Sequence, residues 1–350
     1  MKLGTDKKIE IFCGTGGVGK TTLATSRAIY LAQKKKRVLL ITIDPSKRLK
    51  QLLGLDSHNQ LEAQKVNLAS LLGSDAQELN LYAQLMSPLA PLQRMSDKTN
   101  GELLKNPIIN ILSRPYGGMN EIMSVLELNY QMNTNKFDVI VLDTPPGQNF
   151  IDFLNAGSKI KSFFDSSFSE VFKYLGKKVS GVPTPPKAGF LGKIAGSGIK
   201  KLLSYLNKVT GESFVDQFVD AIALLFSHRS EFLDGIKFLS QIENPDFCHW
   251  FLVTSIEQKK IIEANGLLKA TRNIVQQNSS LLINKCLAHE LTQWSPIAKG
   301  ELDQLRTSLL DRENRLRQFA NSNFSHIVEF PEVFDRSPIE HVKILISHWE

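Results

Sequence analysis

The chain has 350 residues, 42% of them hydrophobic and 22% charged, with a net charge of +7. This is ordinary globular composition, long enough for two domains or for one large α/β domain with an insertion. The charge permits contact with acidic surfaces but falls short of the concentrated basic stripe of a nucleic-acid binder, and no run approaches the roughly 18 apolar residues of a membrane span. Residues Met1 to Ile11 have no apolar signal-peptide core, so a cytoplasmic protein is expected, with contact at the membrane periphery left open.

The first element is an apolar run, Ile9–Cys13, read as a strand. The stretch Gly14-Thr15-Gly16-Gly17-Val18-Gly19-Lys20-Thr21-Thr22 follows, and a helical pattern runs from Lys20 through Leu31. Gly14 to Thr21 fits G-x-x-x-x-G-K-[ST], and strand, glycine loop and helix is the context that a phosphate cradle needs. Glycines let successive N–H groups turn toward an anion, and the helix N-terminus adds its positive dipole end. Lys20 is placed to reach β/γ-phosphate oxygens, and the Thr21 hydroxyl to ligate Mg²⁺.

A second strand, Arg37–Ile43, ends in Asp44-Pro45. The acid at the carboxyl edge lies near the expected γ-phosphate. Leu79–Leu85 is a third strand. Phe137–Leu142 is a fourth, running into Asp143-Thr144-Pro145-Pro146. An apolar strand ending in an acid is the Walker-B pattern, which puts Asp143 on Mg²⁺ directly or through water. His249–Thr254, Leu281–Lys285 and Ile327–Phe330 complete the strands. All are Leu-rich or β-branched with little alternation, as in parallel strands covered on both faces. A doubly wound, mostly parallel α/β sheet follows, with ligand at the carboxyl ends of its strands.

Residues 151–247 interrupt this pattern. Ile160, Phe163, Phe164, Phe168, Val171, Phe172 and Leu175 keep helical spacing, as do Phe214, Phe218, Ile222, Leu225 and Phe226. Residues 150–251 hold 14 of the 20 phenylalanines. The segment reads as an inserted helical subdomain, with residues 1–150 and 248–350 forming the nucleotide-binding core. Its phenylalanines suit either a hydrophobic core or a client-binding face. Gly176 to Gly198, rich in Gly, Pro and Lys, reads as a mobile basic loop or a plain connector. Cys13, Cys248 and Cys286 lie far apart in or beside apolar runs and read as buried hydrophobes.

Loop, switch acids and strand order together resemble the deviant Walker-A P-loop ATPases of the arsenite-pump ATPase (ArsA) and tail-anchored-protein targeting family. The single-unit bacterial members are the nearest match. The motifs that carry the likeness are Gly14–Thr22, Ile43-Asp44-Pro45, Asp143-Thr144-Pro145-Pro146 with Asp152-Phe153-Leu154, Phe251-Leu252-Val253-Thr254 with Glu257, and Leu282-Ile283-Asn284-Lys285. The resemblance implies that Asp44 positions or polarises the attacking water. It implies that Asp143 holds Mg²⁺ through water, and that Asn284 bonds the adenine of ATP. It also implies a dimer, homo- or heteromeric, with nucleotide near the interface.

Three departures qualify this. The family's loop usually carries lysine at the place of Thr15, reaching the partner's phosphates, so slow turnover is expected of the chain alone. Residues 151–247 contain no methionine, the residue of adaptable client grooves. No cysteine cluster suits arsenite or a bridging zinc. The absence of cysteine from residues 14–247 also excludes the related reductases, which use two per subunit for an iron–sulfur cluster. A partitioning ATPase that binds membrane through a basic terminal helix fits poorly, since Pro338 to Glu350 has no basic face. The expectation is a Mg²⁺-dependent ATPase working as a dimeric switch on an apolar client or a membrane-associated partner. The alternative is a low-turnover scaffold subunit beside a catalytic paralogue.

Overall fold

Every run read as a strand pairs into one sheet. The structure, a computed structural model, describes residues 7–43, 53–55, 61–73, 78–114, 119–164, 208–210, 212–271, 274, 279–294, 300–324, 326–335 and 337–350. Its strands are β1 (Ile9–Gly14), β2 (Val38–Thr42), β3 (Gln64–Lys65), β4 (Leu81–Leu85), β5 (Val139–Asp143), β6 (Cys248–Ser255), β7 (Ser279–Cys286) and β8 (His326–Pro331). Among the described residues they form an eight-stranded sheet in the order β3-β4-β2-β5-β1-β6-β7-β8. All neighbours are parallel except β3 and β4. The two-residue β3 lacks an apolar run, so no periodicity announces it.

The chain divides into two compact units. The first comprises Met1–Met86, Tyr130–Asp152 and Ser240–Glu350, and holds the sheet. Helix α1 (Lys20–Gln33) buries Leu23, Ala24, Ala28, Ile29 and Leu31 in a cluster with Phe12, Leu40, Val141, Phe251 and Trp349. Burying a residue of that size stabilises by about 1.5–3 kcal/mol. Two charges go in with them: Glu10 on β1 and Arg27 on α1, both nearly fully buried. The guanidinium donates from Nε to Oε2 at 2.8 Å and from its terminal nitrogen to Oε1 at 2.7 Å. Removing one partner of a buried pair strands the other charge, at about 3–5 kcal/mol. Glu10→Gln is therefore expected to lower stability by about that amount, read as a fall in the urea midpoint. A variant as stable as the parent would mean that the other contacts of Arg27, the Tyr30, Phe251 and Trp349 rings among them, suffice to hold its charge.

The second unit comprises Ser87–Asn129 and Phe153–Leu239 and is helical. It contains α3 (Leu89–Lys98), α4 (Glu102–Lys105), α5 (Pro107–Leu112), α8 (Ala156–Phe163) and α9 (Glu212–Ser227). To it belong most of α6 (Asn120–Asn133) and of α10 (Arg229–Ile242). A four-residue helix, α2 (Ala69–Leu72), and α7 (Gln148–Leu154) precede α8 in the chain. The division departs from a 151–247 insertion, because residues 87–129 join the helical unit. Leu92, Met95, Leu103, Ile109, Met123 and Leu126 pack with Ile160, Phe164, Ala221, Leu225 and Phe232 in one cluster. Two of the helices open at prolines, Pro88 at the N-cap of α3 and Pro107 at the start of α5. Phe164 is core. Phe163, Phe214 and Phe218 are half-buried, and the last two stack with centroids 6.4 Å apart. Phe168, Phe172 and Gly176 to Gly198 lie outside the described residues. No described helix is long and apolar enough to cross a membrane.

Candidate nucleotide site

Parallel pairing brings the carboxyl ends of five strands together. Phe12 of β1 and Thr42 of β2 both stand opposite Asp143 of β5. Gly14 stands opposite Val253 of β6, and Ser255 opposite Asn284 of β7. The loop from Gly14 to Gly19 leaves this edge. A Cβ on Gly14 would lie 2.3 Å from the Val253 carbonyl oxygen, so only glycine lets β1 turn there. Gly19 has φ 90°, and a Cβ on it would lie 2.2 Å from Asn284 Nδ2. Helix α1 then starts with no side-chain cap and no acid in its first turn. Such a helix start, with its positive dipole end toward the loop, suits an anion.

Lys20 is buried and donates from Nζ to the Thr15 carbonyl at 2.9 Å, which folds the loop around its ammonium. The Thr21 and Thr42 hydroxyls both donate to Asp143 Oδ2, at 2.6 and 2.8 Å. Thr42 was missed from the sequence. Its signal is positional, the last residue of the strand beside the Walker-B acid. The loop after β5 is tied to the cradle by Thr144 Oγ1 donating to the Phe12 carbonyl at 2.8 Å and Gly147 N donating to Gly14 O at 3.3 Å. Asn284 is drawn to the loop as well: Nδ2 donates to the Val18 carbonyl at 2.8 Å. Gly16, Gly17 and Thr22 lie on the loop and the first helical turn, as read from the motif. Asp44 lies outside the described residues.

The donor set fits the groups expected. Thr21 and Asp143 supply hard oxygen ligands of the kind Mg²⁺ takes, and the glycine cradle with its buried ammonium suits phosphate. The cysteines do not compete for this role. Burial pushes the Cys13 thiol up to about 12 against the pull of Lys20, and pushes Cys248 well up too. Cys286 approaches Glu313 and Glu329 closely enough to share a metal. Arg317 spans both carboxylates, at 2.7 and 2.6 Å, and Glu313 also accepts the Leu287 and Ala288 N–H groups. Both carboxylates of that cluster are thus already engaged by groups of the protein itself.

On the shoulder of the loop, helix α11 (Gln258–Ala270) follows β6. Lys260 Nζ donates to Glu263 Oε2 at 3.0 Å, and Lys259 Nζ lies 4.0 Å from Oε1. The Lys260 ammonium holds the Glu263 carboxyl below the usual carboxylate range, with Lys259 and the Thr15 hydroxyl assisting. The Thr15 hydroxyl is buried beside that carboxylate yet closes no full hydrogen bond. Neither lysine belongs to a motif, so sequence reading passed over them.

A model of the anion-transporting ATPase family matches residues 7–309. Among curated relatives, ATPase get3 of Schizosaccharomyces pombe is 23% identical over 91% of this chain and 84% of its own length. ATPase GET3 of Candida glabrata is 30% identical over 80% of this chain and 72% of its own. ATPase GET3 of Malassezia globosa is 34% identical, but the alignment spans 47% of each chain. These relatives are fungal and add nothing to the narrower likeness with single-unit bacterial members.

Proposed function

The chain belongs to the anion-transporting ATPase family, and from that premise we propose that it is a Mg²⁺-dependent ATP hydrolase working as a dimeric, nucleotide-driven switch. One observation carries the reading. A glycine cradle closed on a buried Lys20 lies beside a helix N-terminus, with the Thr21 hydroxyl and the Asp143 carboxylate in hydrogen bond. Mg²⁺ held by Thr21 and, through water, by Asp143 would neutralise charge on the β- and γ-oxygens. The loop N–H groups and Lys20 would bind and orient the phosphates. Asp44 would hold the water in line, and Asn284, beside Gly19, would meet the adenine.

Thr42 extends the argument to movement. It ties the end of β2 to the same carboxylate as Thr21. Loss of γ-phosphate contacts would therefore be felt at both switch segments. The client, by analogy with the GET3 relatives, would be an apolar segment of a membrane protein, met by the helical unit. Its half-buried Phe214 and Phe218 and exposed Val209 offer apolar surface to it. A cytoplasmic place of work accords with this reading.

The low-turnover scaffold reading rests on Thr15, which offers no charge to phosphate. The two separate in one assay. The purified chain alone, as homodimer, is expected to hydrolyse ATP with Mg²⁺ and to change mass or shape between ATP and ADP in light or X-ray scattering. Negligible turnover alone, with a large gain on mixing with a loop-lysine relative, would favour the scaffold. Neither turnover nor nucleotide-dependent scattering would overturn both.

A further inference from the structure

A carboxylate beside Thr15, the second residue of the phosphate loop, needs explaining, because an anion there opposes the anion the loop is built to hold. Glu263 is such a group, beside the buried Thr15 hydroxyl. Its charge is balanced by Lys260 at 3.0 Å and by Lys259 at 4.0 Å. The two lysines differ. Lys259 is 83% exposed, whereas Lys260 is only 20% exposed. Both stand in the first turn of α11, which opens three residues after β6 ends at Ser255, and β6 runs beside the strand that enters the loop.

We propose that Lys260, paired here with Glu263, is the second cation of the phosphate site and transfers to the γ-phosphate of ATP bound on the same chain. The loop supplies one ammonium, Lys20, and position 15 supplies none. A flexible four-carbon lysine with a carboxylate resting place suits such a transfer, since a compact ammonium re-pairs with little reorganisation. ADP leaves Lys260 on Glu263, so the exchange reports the γ-phosphate. Cationic stabilisation of a transferring phosphoryl group acts on the rate as well as on binding. The inference rests on the ATP-hydrolase reading and gives the charge missing at Thr15 a source within the chain.

The test uses the full chain and two readouts: steady-state Mg-ATP hydrolysis, and calorimetric affinity for ADP against a non-hydrolysable ATP analogue. Lys260→Met is expected to weaken ADP only slightly, through the unbalanced Glu263, to weaken the analogue by about tenfold to a hundredfold, and to lower kcat at least as much. Lys260→Arg should recover part of the loss. Thr15→Lys in the Lys260→Met background should recover turnover by returning a cation to the loop. Lys260→Gln, with the melting midpoint as control, covers the case of a misfolded methionine variant. Native kcat and native discrimination between ADP and the analogue in Lys260→Met would overturn the assignment while the ATPase reading stands. So would recovery on mixing Lys20→Ala with Lys260→Met chains, because the lysine would then act on the partner's site. If the parent chain binds neither nucleotide, both readings fall together.

Discussion

Lys20→Ala is expected to weaken ATP binding by about tenfold to a hundredfold and to abolish measurable turnover. Charge-assisted hydrogen bonds to phosphate contribute about 1.5–3 kcal/mol each, and 1.4 kcal/mol is a factor of ten in affinity. The position of the side chain makes the upper part of that range reasonable. Lys20 is buried at the first residue of α1 and already donates to the Thr15 carbonyl across the loop at 2.9 Å. Its ammonium is held where phosphate would arrive, so little ordering cost remains to be met on binding. Alanine removes the charge and also frees the Thr15 carbonyl, which loosens the cradle. ADP affinity should fall too, because the β-phosphate shares the lysine. That separates Lys20 from Lys260, whose loss should affect ADP far less than ATP. Calorimetry with both nucleotides is the measurement, and unchanged affinity for both would remove the loop from nucleotide binding.

The legible parts of this molecule were those where a local rule had one solution. Seven strands could be read because parallel strands covered on both faces must be apolar throughout, and β1, β2 and β5 are buried at every residue. The cradle could be read because a turn inward at Gly14, against the Val253 carbonyl, admits no side chain. Other parts depend on distant pairing that no local pattern encodes. Thr42 acquires its role only because β2 lies beside β5 and puts its hydroxyl on Asp143. Lys260 and Glu263 look like an ordinary i,i+3 surface pair until β6 is set beside β1. The helical unit was legible in kind but not in extent. Residues 87–129 form helices that local pattern does not attach to either unit, and their common cluster with Phe164 and Phe232 assigns them.

Asp44→Asn is expected to leave ATP binding nearly unchanged and to lower kcat by about 10²–10⁴-fold, the range of a lost general base or positioning carboxylate. Asp44 lies outside the described residues, but the strand that delivers it is fixed. The Ile43 N–H donates to the Asp143 carbonyl at 3.1 Å, and Thr42 donates through its hydroxyl to the Asp143 carboxylate. The chain thus leaves β2 next to the residue assigned to Mg²⁺, at the edge that carries the phosphate loop. A carboxylate does not grip phosphate, because like charges repel, so a role in holding nucleotide is physically poor. Ordering a water in line with the γ-phosphate is the use left for it. Asparagine keeps shape and hydrogen-bonding capacity while removing the charge. A loss confined to kcat with KM held would therefore identify the carboxylate itself and not its packing. Mixing Asp44→Asn with the parent chain separates local from shared action: independent sites keep half the parental turnover, whereas a coupled dimer keeps less. If Asp44→Asn alone hydrolyses ATP at the parental rate, the water is positioned by another group. The link through Thr42 would then serve only to hold the sheet edge together.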